Sequence, residues 1–210
     1  MAFKSLFVGV GRHADPNTPD LPGPPRDARA MQSLFKDSLD GGEFDLLVDE
    51  QATTRAISSS LDQLFSTATD EDTLLFHFSG HGSENHDLIP HDIDDSRVSE
   101  TTIPMGQILE LLRTSEAKNI ICFLDCCFSG GVGAKVLPGL PRTRDSRFSF
   151  DQMAGEGRVI VAASEQAKGV RPEWHCRVEA GAHFQPGLKR VFFVNSLQSR
   201  RSFNRRPSLV

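Results

Sequence analysis

A mainly parallel α/β domain is the fold class this sequence predicts, and three observations predict it. Apolar runs of strand length alternate with stretches whose apolar residues recur at helical spacing, the pattern of crossover units on a parallel sheet. Two of the runs, Leu74-Leu75-Phe76-His77-Phe78-Ser79-Gly80-His81-Gly82 and Ile120-Ile121-Cys122-Phe123-Leu124-Asp125-Cys126-Cys127, pass from β-favouring residues toward glycine and present His81 and Cys127 at the switch. Long irregular stretches, Ser83 to Thr101 and Phe128 to Glu156, follow those two runs, and stretches of that length are usually functional or disordered.

The elements follow in order. Residues 4 to 10 read as a buried strand, and the loop from His13 to Pro25 is crowded with Pro, Asp and Gly. A helix starts near Pro25 with Ala28, Met31, Leu34, Phe35 and Leu39 on one stripe, and Gly41-Gly42 stops it. Phe44 to Val48 is a second strand. Thr53 or Thr54 caps the next helix, in which Ile57, Leu61, Leu64, Phe65 and Ala68 share a face. Thr73 to Ser79 is the third strand, and Met105, Ile108, Leu111 and Leu112 face inward from a third helix. Asn119 to Asp125 and Gly157 to Ser164 complete the pattern, without an internal repeat or a linker before about residue 165.

With 210 residues the chain suits one domain of ordinary size. Lys and Arg number 23 against 28 Asp and Glu, so no global charge excess calls for nucleic acid. The end differs: Lys189, Arg190, Arg200, Arg201, Arg205 and Arg206 have no acid among them and read as a mobile basic tail. Cys122, Cys126, Cys127 and Cys176 lack the spacing of a disulfide scaffold, which points to a reducing compartment. Met1 to Val10 runs on into Arg12, His13 and Asp15 rather than a small-residue cleavage site, so it reads as a strand and not as a signal peptide. No stretch reaches membrane-spanning length. A soluble, cytoplasmic protein without membrane or nucleic-acid partners is expected, its oligomeric state left open.

Alternate residues of a strand share a face, so His77, Ser79 and His81 point one way, and Asp125 and Cys127 share a face that Cys126 opposes. An imidazole and a thiol at neighbouring strand ends make a base and a nucleophile. Gly82, or the amides of Ser129-Gly130-Gly131, would stabilise an oxyanion. Cys122, Cys126 and Cys176 read as packing residues and His77 as structural. A zinc site drawing on His77, His81, His86, His91 and the cysteines is the alternative; its spacing matches no zinc pattern, so no metal ligand is assigned.

Ser79-Gly80-His81-Gly82 and Asp125-Cys126-Cys127-Phe128-Ser129-Gly130 resemble the histidine and cysteine motifs of caspase-like cysteine peptidases of the C14 type, metacaspases and their bacterial relatives in particular. Leu21 to Ala28 looks like the segment that opens the first helix of that family, and Arg158 to Ser164 like its strand after the cysteine. The resemblance implies a three-layer αβα sandwich over a 1–170 peptidase core, with His81 as base or acid and Cys127 as nucleophile. It also implies that Asp27, Ser79 and Asp125 line the pocket for the residue before the cut, which two carboxylates would fit to Arg or Lys. The expected partners are therefore protein or peptide substrates with Arg or Lys at that position.

The family further suggests calcium for Asp87, Asp92, Asp94 and Asp95. No Asp or Glu stands between Asp125 and Asp145, so a solvated loop is expected, no cofactor is required, and calcium activation is a hypothesis. Lys135, Arg142, Arg144 and Arg147 are candidate self-cleavage points. Residues 171–210 depart from the family as an atypical basic segment, partly disordered or replacing the usual last strand; Val191 to Val194 is its candidate strand. Two other functions compete: an inactive caspase-like module that binds or regulates a partner, and a zinc-dependent hydrolase or deaminase.

Overall fold

A computed structural model of the chain describes residues 1–83, 87–126, 157–164 and 190–195, the stretches 162–164 and 190–195 as backbone. Six strands form one sheet in the order β2-β1-β3-β4-β5-β6. They are β1 (Phe3–Gly9), β2 (Glu43–Val48), β3 (Thr73–Ser79), β4 (Asn119–Asp125), β5 (Arg158–Ser164) and β6 (Arg190–Asn195). The first five run parallel, and β6 adds antiparallel to β5 at the edge. Three helices accompany them: α1 (Pro24–Ser38), α2 (Thr54–Ser66) and α3 (Met105–Thr114).

Strand alternation divides the core between the two faces of the sheet. Leu6, Val8, Leu74, Phe76, Phe78, Ile120, Cys122 and Leu124 pack with Ile57, Leu61 and Phe65 of α2 and with Met105, Ile108 and Leu112 of α3. Phe7 and Leu75 face the other way, against Ala28, Met31 and Phe35 of α1. The result is an α/β/α sandwich. Each such Leu or Phe, wholly removed from water, contributes about 1.5–3 kcal/mol. The Phe3 and Phe35 rings stack with centroids 5.5 Å apart, tying the far end of α1 to the start of β1.

The helices start as the sequence predicts. Thr53 caps α2, its Oγ1 accepting from Ala56 N at 3.2 Å. Prolines open α1, where the missing N–H groups would have had no helical partner. The expected α1 stripe is only partly buried: Leu34 is 58% exposed and Leu39 lies at the helix end, 36% exposed. Ala28, Met31 and Phe35 define the inward line, and position 34 falls well round the helix from it.

Residues 87–101 depart from the expected solvated loop. Leu88, Ile89 and Ile93 are buried, and isolated bridges join Gly82 to Leu88 and Leu88 to Ile103. Three apolar residues among the acids hold the segment against the core. The run Val191 to Val194 lies within β6, so a strand of the 171–210 segment covers the edge of β5. No helix among the described residues is long and apolar enough to cross a membrane.

Candidate active site at the ends of β1, β3 and β4

The three central strands end level with one another. Gly9 pairs with Ser79, and Ser79 pairs with Asp125. Beyond those pairs Val10 N donates to Ser79 O at 2.9 Å and Gly80 N donates to Asp125 O at 3.2 Å. The loops that leave this edge therefore start side by side, the crevice position of open α/β sheets. Cys126, the last described residue after β4, is buried with the α2 and α3 side chains. Asp125 belongs by alternation to the opposite face, shared with Ser79 and His77. Cys127 lies outside the described residues, as do His86, Ser129 to Gly131, Lys135, Arg142, Arg144, Arg147 and Cys176.

His81 is held by the loop that follows β1. Its Nε2 lies 2.8 Å from the carbonyl oxygen of Pro19. A carbonyl only accepts, so Nε2 carries the proton, and in the neutral ring the lone pair falls on Nδ1. The ring of His13 lies against the same imidazole, centroids 5.3 Å apart and planes tilted by 40°. Neither ring nitrogen of His13 has a hydrogen-bond partner among the described residues, although both are buried. Burial first, and the neighbouring His81 second, lower its pKa to about 4, so His13 is uncharged near neutrality. Sequence reasoning passed over His13 as one residue of an irregular loop. Its place just past the end of a central strand was the available signal.

That loop is anchored by a strained residue. Asp49, just after β2, has φ of 46°, in the left-handed region that aspartate tolerates better than most residues. Its Oδ1 accepts from Gly11 N at 2.9 Å and Arg12 N at 3.0 Å. Arg12 answers with Nε 3.4 Å from Asp49 Oδ2 and Nη2 3.0 Å from Glu50. Glycine is required where the loop doubles back: a Cβ at Gly11 would stand 2.7 Å from Pro25 Cδ, and one at Gly9 2.8 Å from Ala28 Cβ. His91 ties in the other loop, its Nδ1 2.7 Å from Arg12 O and its carbonyl 2.8 Å from Ala14 N.

The bonds flanking Gly82 are Ile89 N to His81 O at 3.1 Å and Ser83 N to Asp87 O at 2.9 Å. This is the non-bonded type of antiparallel pair, which turns the N–H of Gly82 away from Leu88. Asp27 is exposed in the first turn of α1, the end of that helix seated on Gly9. Asp27, Ser79 and Asp125 thus all belong to one end of the sheet. His77 lies deeper on β3, 4% exposed and 6.1 Å between ring centroids from Phe7. Burial lowers its pKa to about 4, against an opposing pull from Asp125. Burial likewise pushes the Cys122 thiol up to about 12, the state of an inert packing cysteine.

The four loop aspartates have separate tasks. Asp92 Oδ1 accepts from Thr54 N at 2.6 Å and Thr54 Oγ1 at 2.9 Å, beside the start of α2. Asp94 holds Ser96 N and Oγ and pairs with Arg97 at 3.0 Å. Asp87 is raised in pKa by burial, opposed by hydrogen bonds from Ser83 and Thr102. Asp95 N donates to Asp15 at 3.2 Å. Among the described residues no three His, Cys, Asp or Glu side chains gather to hold a metal ion.

Comparison with known proteins agrees with this architecture. The family model of the caspase domain, peptidase C14, matches residues 4–184. The chain belongs to that family. A crystal structure of a protein from Geobacter sulfurreducens is similar over 78% of this chain and 72% of its own, with a TM-score of 0.53 at 15% identity. The structure of pro-sf-caspase-1 is similar over 77% of this chain and 60% of its own, with a TM-score of 0.49 at 10% identity. No curated protein matches.

Proposed function

We propose that this protein is a cysteine endopeptidase that cleaves after Arg or Lys with a Cys127 and His81 dyad. The observation that carries the reading is the register of β3 on β4. Ser79 stands opposite Asp125, and His81 and Cys127 each follow that pair by two residues. Membership of the peptidase C14 family supports it.

The Cys127 thiol gives its proton to Nδ1 of His81 as the sulfur attacks the peptide carbonyl carbon, and the oxygen takes the charge. The N–H of Gly82, directed away from Leu88, suits that oxyanion. Collapse breaks the C–N bond, His81 returns the proton to the leaving amine, and water hydrolyses the thioester. Pro19 O stays on Nε2–H throughout, which keeps the basic nitrogen at Nδ1. Asp27 and Asp125, with Ser79 between their elements, receive the cation of the residue before the cut. A reducing cytoplasm suits a thiol nucleophile that follows the buried Cys122 and Cys126 in the chain. The reading routes no step through calcium.

Hydrolysis of short fluorogenic peptides ending in Arg, Lys or Asp, with calcium and with chelator, tests it. Cleavage after Arg or Lys that vanishes in Cys127→Ala is expected, at the same rate in both media. Cleavage after Asp overturns the pocket, and a well-folded protein without activity is instead the inactive binding module.

A further inference from the structure

We propose that His13 is a positioning residue for His81: it forms a second wall that, together with the Pro19 carbonyl, fixes the imidazole rotamer and tautomer needed for proton transfer. The inference rests on His81 acting as the base of the reading above.

One short loop supplies both walls. Pro19 O is 2.8 Å from Nε2 of His81, and the His13 ring lies 5.3 Å from it, centroid to centroid. The loop is closed on itself by His13 N to Asp20 Oδ1 at 3.3 Å and Leu21 N to Gly11 O at 2.7 Å. It is tied to its surroundings through Asp49 and His91. His81 itself sits between two glycines, so its own neighbours in sequence offer no side chain to limit its rotation. A terminal χ2 torsion is broad, so without a second contact the ring turns in and out of reach of the Pro19 carbonyl and both tautomers become populated. The His13 face supplies that contact.

The wall must also stay uncharged when His81 gains its proton, since a second cation beside it would oppose the imidazolium. The charged and titratable groups acting on His13 are His81, Asp20, His91 and Asp49; burial is the largest influence and, with His81 and His91, keeps it neutral against the pull of Asp20 and Asp49. Its two buried nitrogens without partners are the cost of an aromatic wall built from histidine. Phenylalanine would serve as well, without that cost.

The experiment compares His13→Ala and His13→Phe with the wild type. Peptide hydrolysis of His13→Ala is expected to lose roughly tenfold or more in kcat, with KM within about twofold, while His13→Phe restores the rate. Unchanged kcat in His13→Ala, or a His13→Phe as slow as His13→Ala, overturns the proposal. Nitrogen-15 NMR of the imidazoles, which needs no turnover, is the second arm. The wild type should show His81 as the Nε2–H tautomer, and His13→Ala a mixture of both tautomers. A single Nε2–H tautomer in a folded His13→Ala contradicts the positioning role. If the wild type cleaves nothing, the endopeptidase reading fails on its own, and the tautomer measurement still decides the geometry.

Discussion

Ser79 stands opposite Asp125 across the β3 and β4 ladder, and Gly80 N reaches on to Asp125 O at 3.2 Å. The two strands therefore deliver their carboxyl ends at one level. Asp125 offers a carboxylate on the α1 face beside a buried serine. For the proposed pocket this is the nearer of two acids to the strand ends, so Asp125→Asn keeps the backbone bond and removes the charge. Cleavage after Arg or Lys should fall by roughly tenfold to a hundredfold in kcat/KM, the size of one lost charge-assisted hydrogen bond. Steady-state kinetics on Arg, Lys and Gln peptides would register the loss as a flattened preference; an undiminished preference for Arg would remove Asp125 from the pocket.

Gly9 is the hinge between sheet and α1. A methyl group there meets Ala28 Cβ at 2.8 Å and the backbone of Pro24, neither of which can step aside without moving the helix. Gly9→Ala is expected to cost about 1–3 kcal/mol, a fall of roughly 5 °C in Tm. Calorimetry checks it, and a Tm equal to wild type would show that α1 shifts freely on β1.

Acid should destabilise the protein through its buried histidines. In the folded state the pKa of His77 is about 4, below the 6.5 of an unperturbed imidazole. Between pH 6.5 and 4 the unfolded chain thus binds the additional proton, and stability falls as pH falls through that window. The loss attributable to His77 is on the order of 3 kcal/mol. His13 adds a loss of the same sign. Urea midpoints measured from pH 7 to pH 4 should drop steeply for wild type and less steeply for His77→Phe. Parallel curves for the two proteins would mean that His77 is not the group responsible.

Much of this fold was legible because its strands are buried on both faces and its helices carry one apolar stripe. The bounds of β3 and β4, Thr73–Ser79 and Asn119–Asp125, coincide with the runs read from sequence. The separation of Cys126 from Asp125 followed from a period of two alone. Other features depended on distant contacts. Leu34 had the right residue type for the core but the wrong angle, which only the seating of α1 on Gly9 decides. The segment after His81 looked solvated because its Asp and Glu residues together outnumber its Leu, Ile and Val; Leu88, Ile89 and Ile93 nevertheless bury themselves and carry the acids into caps and turns. His13 was invisible for a similar reason. Its importance comes from the return of its loop to His81, which is fixed by Asp49, 36 residues further along the chain.

The dyad is tested most directly by trapping it. The protein would be incubated with a short peptide ending in an Arg chloromethyl ketone, and the modified residue located by mass spectrometry in wild type, Cys127→Ala and His81→Ala. The account predicts one adduct, on Cys127, blocked by competing Arg peptide and slowed strongly in His81→Ala. Label on Cys126 or Cys176 instead, or a Cys127 labelled equally fast with and without His81, would contradict it.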